Sequence, residues 1–205
     1  DDSFLVQMTT RPAVRCRWSR PACTSLQTGN VVAVDASHPV LRVLAESSTV
    51  RGYRGARTWS SPTIGGDISQ VAVSPSGDRV AVGTVEGRVF LLDANDGAIT
   101  ASYGPLGKSS SSLAFASDEL VFAATADGHG AFLSIHGTEL VRIDSPAPLL
   151  SSHRVDGGII AVRVDGVITR YRTPRAPLQR RYPSPTWSIA SANDQIFVTD
   201  GTGAV

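Results

Sequence analysis

The strongest constraint on this chain is a unit of about forty residues that recurs along it. The clearest copy holds four runs rich in Val, Ile and Ala: Ile68 to Val73, Arg79 to Val82, Val89 to Leu92 and Ile99 to Tyr103. Three turns separate them, Ser74-Pro-Ser-Gly-Asp78, Val85-Glu-Gly87 and Asn95-Asp-Gly97. A second copy reads Ser112 to Phe115, Leu120 to Ala124, Ala131 to Ile135 and Glu139 to Ile143, and a third reads Leu149 to His153, Ile159 to Val162, Val167 to Tyr171 and Leu178 to Tyr182. A weaker copy lies upstream, with strands near Thr24 to Gln27, Val31 to Val34, Val40 to Leu44 and Val50 to Tyr53, then a long loop through Trp59 to Gly66. Short β-branched runs bounded by Gly, Asp, Asn and Pro read as strands and hairpins. The second-turn glycines Gly87, Gly128, Gly166 and Gly203 fall 41, 38 and 37 residues apart. Glycine accepts the positive φ that tight hairpin turns impose.

The composition agrees with many strands and little else. The chain has 205 residues, of which 41% are hydrophobic and 18% charged, with 19 Gly and 12 Pro, enough apolar material for one sizeable all-β domain. A four-stranded unit cannot hide its apolar faces alone, so copies must stack. Units of about forty residues that resemble one another fit the blades of a β-propeller; a sandwich gives no reason for unit-to-unit similarity.

The two ends complete the count. Trp187 to Ala190 and Ile196 to Thr199 supply two strands and stop near a second turn, while Phe4 to Met8 and Val14 to Trp18 read as the missing third and fourth. The expectation is a single propeller domain of about five four-stranded blades. Its boundaries fall near 23–66, 67–110, 111–147 and 148–185, with residues 186–205 completed by 1–22. A shared blade removes the free sheet edge of an open ring.

The segment from Val71 to Asp93, with its Ser74-Pro75 and Gly77-Asp78 turn, Gly83, Gly87 and the strand ending Val89-x-Leu91-x-Asp93, resembles the WD-repeat family. Leu92 stands where that family has Trp, and no Gly-His pair precedes a unit. Leu92-Asp-Ala-Asn-Asp-Gly97 also resembles the quinoprotein-type repeat, with Tyr103 near the place where that family docks a Trp. Both resemblances imply a propeller and neither implies an activity, because propellers carry scaffolds, lectins, hydrolases and dehydrogenases on one frame.

The charge balance excludes the field-driven classes. A net charge of +1 gives no overall attraction for nucleic acid or an anionic membrane. No apolar run approaches the ~20 residues of a membrane span, and the start, Asp1-Asp2-Ser3-Phe4-Leu5, lacks the regions of a signal peptide. The reading is a soluble chain with the intracellular compartment favoured. A start without Met points to a processed form or an excerpt of something longer. Cys16 and Cys23 are the only cysteines, read as buried free thiols or as one disulfide between neighbouring strands.

Chemical motifs are few. His38, His129, His136 and His153 are scattered without a second ligand at metal spacing, although His38 and His129 fall in second turns expected to share a face. There is no Gly-x-Ser-x-Gly elbow and no phosphate loop. Asp78, Asp96, Asp127, Asp156, Asp165 and Asp200 each adjoin a Gly, where Asp bonds to its own turn. No catalytic residue, metal ligand or cofactor is therefore expected.

Candidate contact residues come from two places. Arg170, Arg172, Arg175, Arg180 and Arg181 crowd the third and fourth strands of one blade, where alternation puts Arg170 and Arg172 on one side as an exposed stripe. That stripe suits an acidic protein or, less readily, RNA phosphate; the plainer reading is a solvated edge that discourages strand pairing. The annular face formed by second turns and blade connections is expected to carry His38, Arg57, Trp59, Glu86, Lys108, Asp127, His129 and Trp187. Arg57, Trp59, Lys108, His129, Arg170, Arg172, Arg180 and Arg181 are the candidate partner-binding residues. The expected function is a non-enzymatic protein-interaction scaffold, a module of a larger protein or complex. The alternative is a small-ligand propeller, lectin-like or a hydrolase, with its site at the channel mouth.

Overall fold

Every element is a strand in the computed structural model, which describes the backbone of residues 3–8, 11–17, 23–25, 31–35, 38–156, 158–172, 175–181, 186–192 and 195–200, and the side chains of 31–35, 38–156 and 158–172. Four antiparallel four-stranded sheets follow one another in chain order. The first comprises β4 (Val31–Asp35), β5 (Leu41–Glu46), β6 (Thr49–Arg54) and β7 (Arg57–Ser60). The second comprises β8 (Ile68–Val73), β9 (Arg79–Thr84), β10 (Val89–Asp93) and β11 (Ile99–Tyr103). The third comprises β12 (Ser110–Ser117), β13 (Leu120–Thr125), β14 (His129–Ser134) and β15 (Glu139–Asp144). The fourth comprises β16 (Leu149–Val155), β17 (Gly158–Arg163), β18 (Val167–Arg172) and β19 (Arg175–Arg181).

The sheets stack in a propeller-like manner. Each first strand lies against the first strand of the next sheet, β4 on β8, β8 on β12, and β12 on β16. The apolar residues of neighbouring sheets close over one another: Leu41, Val43 and Val50 meet Val73, Val80 and Leu92, and Leu91 and Leu106 meet Val121 and Leu133. Phe122, Phe132 and Tyr171 join the third sheet to the fourth, with ring centroids 5.1–6.1 Å apart. This is why the hydrophobic periodicity runs in fours: each sheet is apolar on both faces because both are covered.

The second turns carry the expected glycines. Gly87 has φ 73° and Gly128 has φ 94°, values that a side chain resists. Their carbonyls also accept the amides of Leu106 and Ser145 at 3.0 and 2.8 Å, which clips each turn to the connection entering the next sheet.

The ends depart from expectation. β1 (Ser3–Met8), β2 (Arg11–Arg17) and β3 (Cys23–Ser25) form a sheet of their own, and β20 (Thr186–Ala192) and β21 (Gln195–Asp200) form another. Residues 201–205, expected to begin the third strand of the shared blade, lie outside the described residues; among the described residues no strand pair joins the two sets and no closed sheet is seen. The reason is local pairing: β3 leads into β4 as β7 leads into β8, which places β1 beside β4, whereas β20 packs on β16 at the far end of the stack. The same shift corrects the weak upstream copy. Cys23–Ser25 closes the preceding sheet, and Arg57–Ser60, expected in a loop, is the fourth strand.

Candidate functional site

The two ends of the stack differ in construction. In an antiparallel meander the first and third turns lie at one end, and the second turns and sheet-to-sheet connections at the other. The second-turn end is shaped by a feature that recurs five times. Each first strand breaks register one residue in, at Val31/Ala33, Ile68/Gln70, Ser110/Ser112, Leu149/Ser151 and Thr186/Ser188. A β-bulge leaves its extra residue out of the ladder and turns that side chain aside. The extra residues are Val32, Ser69, Ser111, Leu150 and Trp187, of which Trp187 has its side chain outside the described residues.

Val32 and Leu150 are 40% and 39% exposed, although their strand neighbours Val31 and Leu149 are buried. At the same end Val85 and Val164 are 44% and 39% exposed. Each is held at the strand start by its amide, Val85 to the Asp67 carbonyl at 2.8 Å and Val164 to the Pro148 carbonyl at 3.0 Å. Exposed Glu86, Lys108 and Asp127 edge this end. The Lys108 amide donates to Asp127 Oδ2 at 3.0 Å, and the Thr125 hydroxyl, donating to Oδ1 at 2.7 Å, is the chief reason that the Asp127 carboxyl titrates below the usual range. His129 Nδ1 lies 2.8 Å from Asp144 Oδ1.

The opposite end holds a cavity of about 510 Å³ between the first strands. Asp35, Ala72, Ala114 and His153 line it from equivalent register positions on β4, β8, β12 and β16. Asp35 Oδ2 accepts the Val73 amide at 2.7 Å, which ties two sheets together at the cavity wall. Burial pushes the His153 imidazole below its ordinary pKa, so it is neutral at pH 7. His38 Nδ1 accepts the amides of Val40 and Leu41 at 3.3 and 3.2 Å, which assigns the ring proton to Nε2.

Several candidate residues change place. His38 sits in a first turn, not a second, so His38 and His129 lie at opposite ends. Arg57 and Trp59 are on β7 at the outer side of the first sheet rather than in a face loop. Arg57 is exposed; Trp59 is half-buried, and its Nε1 donates to the Ala94 carbonyl of the second sheet at 2.8 Å. Arg170 and Arg172 are half-buried instead of forming an exposed stripe, and Arg170 Nη2 donates to the Asp156 carbonyl at 2.6 Å. Arg170 occupies the register position of Leu91 and Phe132, which is why it is drawn inward. Arg180 and Arg181 are register partners of Ile168 and Val167, and their side chains lie outside the described residues. Among the candidates, only Lys108 and His129 lie at the second-turn end with described side chains. Tyr103 is buried, donating to the Ser134 carbonyl and accepting the Gly137 amide at 3.2 Å.

Val32, Ser69, Ser111, Leu150 and Asp35 were missed, as was the place of His153 in the cavity wall. Alternation alone cannot show a bulge, and Asp35 and His153 become equivalent only once the strands are in register. Among the described residues no group of three His, Cys, Asp or Glu is placed to hold a metal ion, and no helix is long and apolar enough to cross a membrane.

Fold and site together define an all-β protein of stacked four-stranded sheets. No family model and no curated protein matches the sequence. Solved structures share the fold: the computationally designed Ika8 protein with a TM-score of 0.82 at 15% identity, BBS1N in complex with ARL6DN with 0.78 at 16%, and the designed Ika4 protein with 0.62 at 17%. The first two matches cover 98% of this chain but 65% and 70% of the other, and the third covers 72% of this chain and 95% of the other. The chain thus spans about two thirds of the length of the first two.

Proposed function

We propose that this protein is a non-enzymatic interaction scaffold of the β-propeller class, a divergent relative of WD-repeat or quinoprotein-type propellers and a module of a larger protein or assembly. It takes its protein partner on the second-turn end. The observation that carries this reading is the set of exposed apolar residues there, Val32, Leu150, Val85 and Val164, at the same end as exposed Glu86, Lys108 and Asp127. Exposed apolar side chains interspersed with charged ones are the composition of a binding surface. The BBS1N structure, solved with ARL6DN, gives a propeller-like neighbour that binds a protein, which supports the same use here.

The test compares partners recovered from native extract by the wild-type chain and by a Val85→Asp/Val164→Asp variant of unchanged Tm. Specific partners are expected to be retained by the first and lost by the second. Recovery of the same set by both, or of none by either, would overturn the reading.

A small-ligand reading is favoured by the cavity at the other end, which half-buried His153 and Asp35 help to line. Saturable binding of a glycan or other small molecule, lost on His153→Ala, would support it over the scaffold.

A further inference from the structure

We propose that Cys16 and Cys23 are joined as a cross-strand disulfide that clips β3 to β2. The juxtaposition that carries this is one of register. β2 and β3 are antiparallel, and their Cα pairing runs Val14 with Ser25, Arg15 with Thr24 and Cys16 with Cys23. The two cysteines are thus directly opposite and on the same face of the sheet. Opposed residues of an antiparallel pair have Cα atoms roughly 4.5–5.5 Å apart. This lies within the roughly 4.4–6.8 Å that a disulfide spans. A shift of one residue would put them on opposite faces. They are also the only two cysteines of the chain, so the pairing has no competitor within it.

The position gives the bond a purpose. Among the described residues β3 is the last strand before β4 enters the first four-stranded sheet. A covalent link at its first residue fixes its register on β2 and closes a small loop, which limits the freedom of the unfolded segment.

Formation needs an oxidant, for which a low-molecular-weight disulfide of the glutathione type suffices. One cysteine thiolate attacks it, breaking its sulfur–sulfur bond, forming a mixed disulfide and releasing one thiol. The second cysteine thiolate then attacks the mixed disulfide and releases the second thiol. The protein loses two protons and two electrons, and the oxidant gains them as two thiols.

The test is made on the full chain. Reduced protein is equilibrated with oxidised glutathione, quenched with an alkylating reagent and weighed intact, then digested. The expected product is about 2 Da lighter than the dithiol, takes up no alkyl group and no glutathione, and yields a peptide linking Cys16 to Cys23. Its Tm should exceed that of the reduced form by ~5 °C. The Cys16→Ser/Cys23→Ser variant should show the reduced Tm in both conditions. Two alkylated thiols, a persisting glutathione adduct or a linkage only between chains would overturn the proposal.

Discussion

The indole of Trp59 on the first sheet donates its Nε1 proton to the carbonyl oxygen of Ala94 on the second, at 2.8 Å. The ring lies where a Cβ on either Gly52 or Gly97 would be, so two residues without side chains make the seat for the largest one. Ala94 is fully buried, so its carbonyl depends on that donor. Trp59→Phe should cost about 1 kcal/mol from the lost hydrogen bond. Trp59→Ala should cost about 2–4 kcal/mol, because packing between sheets goes as well. Urea denaturation of the two variants checks the order; equal costs would mean that the packing contributes nothing beyond the hydrogen bond.

Gly97 is constrained twice. Its φ is 79°, and an added Cβ would come within 2.6 Å of the Trp59 ring. Gly97→Ala should destabilise the wild type by more than the roughly 1 kcal/mol of a strained φ alone. In a Trp59→Ala background the steric part should shrink to the contact with the Ser61 Cα, 3.2 Å from the added Cβ. A double-mutant cycle measures the difference, and strict additivity would show that the two residues do not meet.

The third and fourth sheets are linked by Ser112 and Ser152, both buried, with hydroxyl oxygens 2.7 Å apart and the Ser152 amide donating to Ser112 Oγ at 2.6 Å. The two hydroxyls are not equivalent. Ser112→Ala strands a buried backbone amide and should cost about 1–3 kcal/mol; Ser152→Ala removes one hydroxyl bond and should cost about 1 kcal/mol. Chemical denaturation that ranks them the other way would contradict the assignment of Ser112 as the acceptor.

His153 makes stability depend on pH. Burial lowers its folded pKa below the 6.5 of the free imidazole, so the unfolded chain binds the proton more readily. Stability is whole above about pH 7 and declines as pH falls through 6.5 toward the lower folded value. Asp35, His38 and Arg154 line the same cavity and stay in place in the variant. The fall in urea midpoint between pH 7.5 and 5.5 should be smaller in His153→Gln than in wild type. An equal fall in both would remove His153 as its source.

The repeat, the strand content and the second-turn glycines were legible because they follow from spacing along the chain. Hydrophobic runs in fours require sheets covered on both faces, and Gly87, Gly128 and Gly166 with φ of 73°, 94° and 79° are what their turn positions demand. The candidate site was far less legible. Arg170 and Arg172 alternate as an exposed stripe would, yet both are half-buried and Arg170 bonds to the Asp156 carbonyl. Arg57 and Trp59 look like loop anchors until β7 pairs with β6.

What the sequence by itself determined is the kind of element and the need to stack, since period and turn chemistry are local. Tertiary structure alone decided which residues face one another across sheets: the bulges that turn out Val32 and Leu150, the layer joining Asp35 to His153, and the pairing of β1, β2 and β3 apart from β20 and β21. Those are relations between residues far apart in the chain, set by register and packing, and no local pattern encodes them.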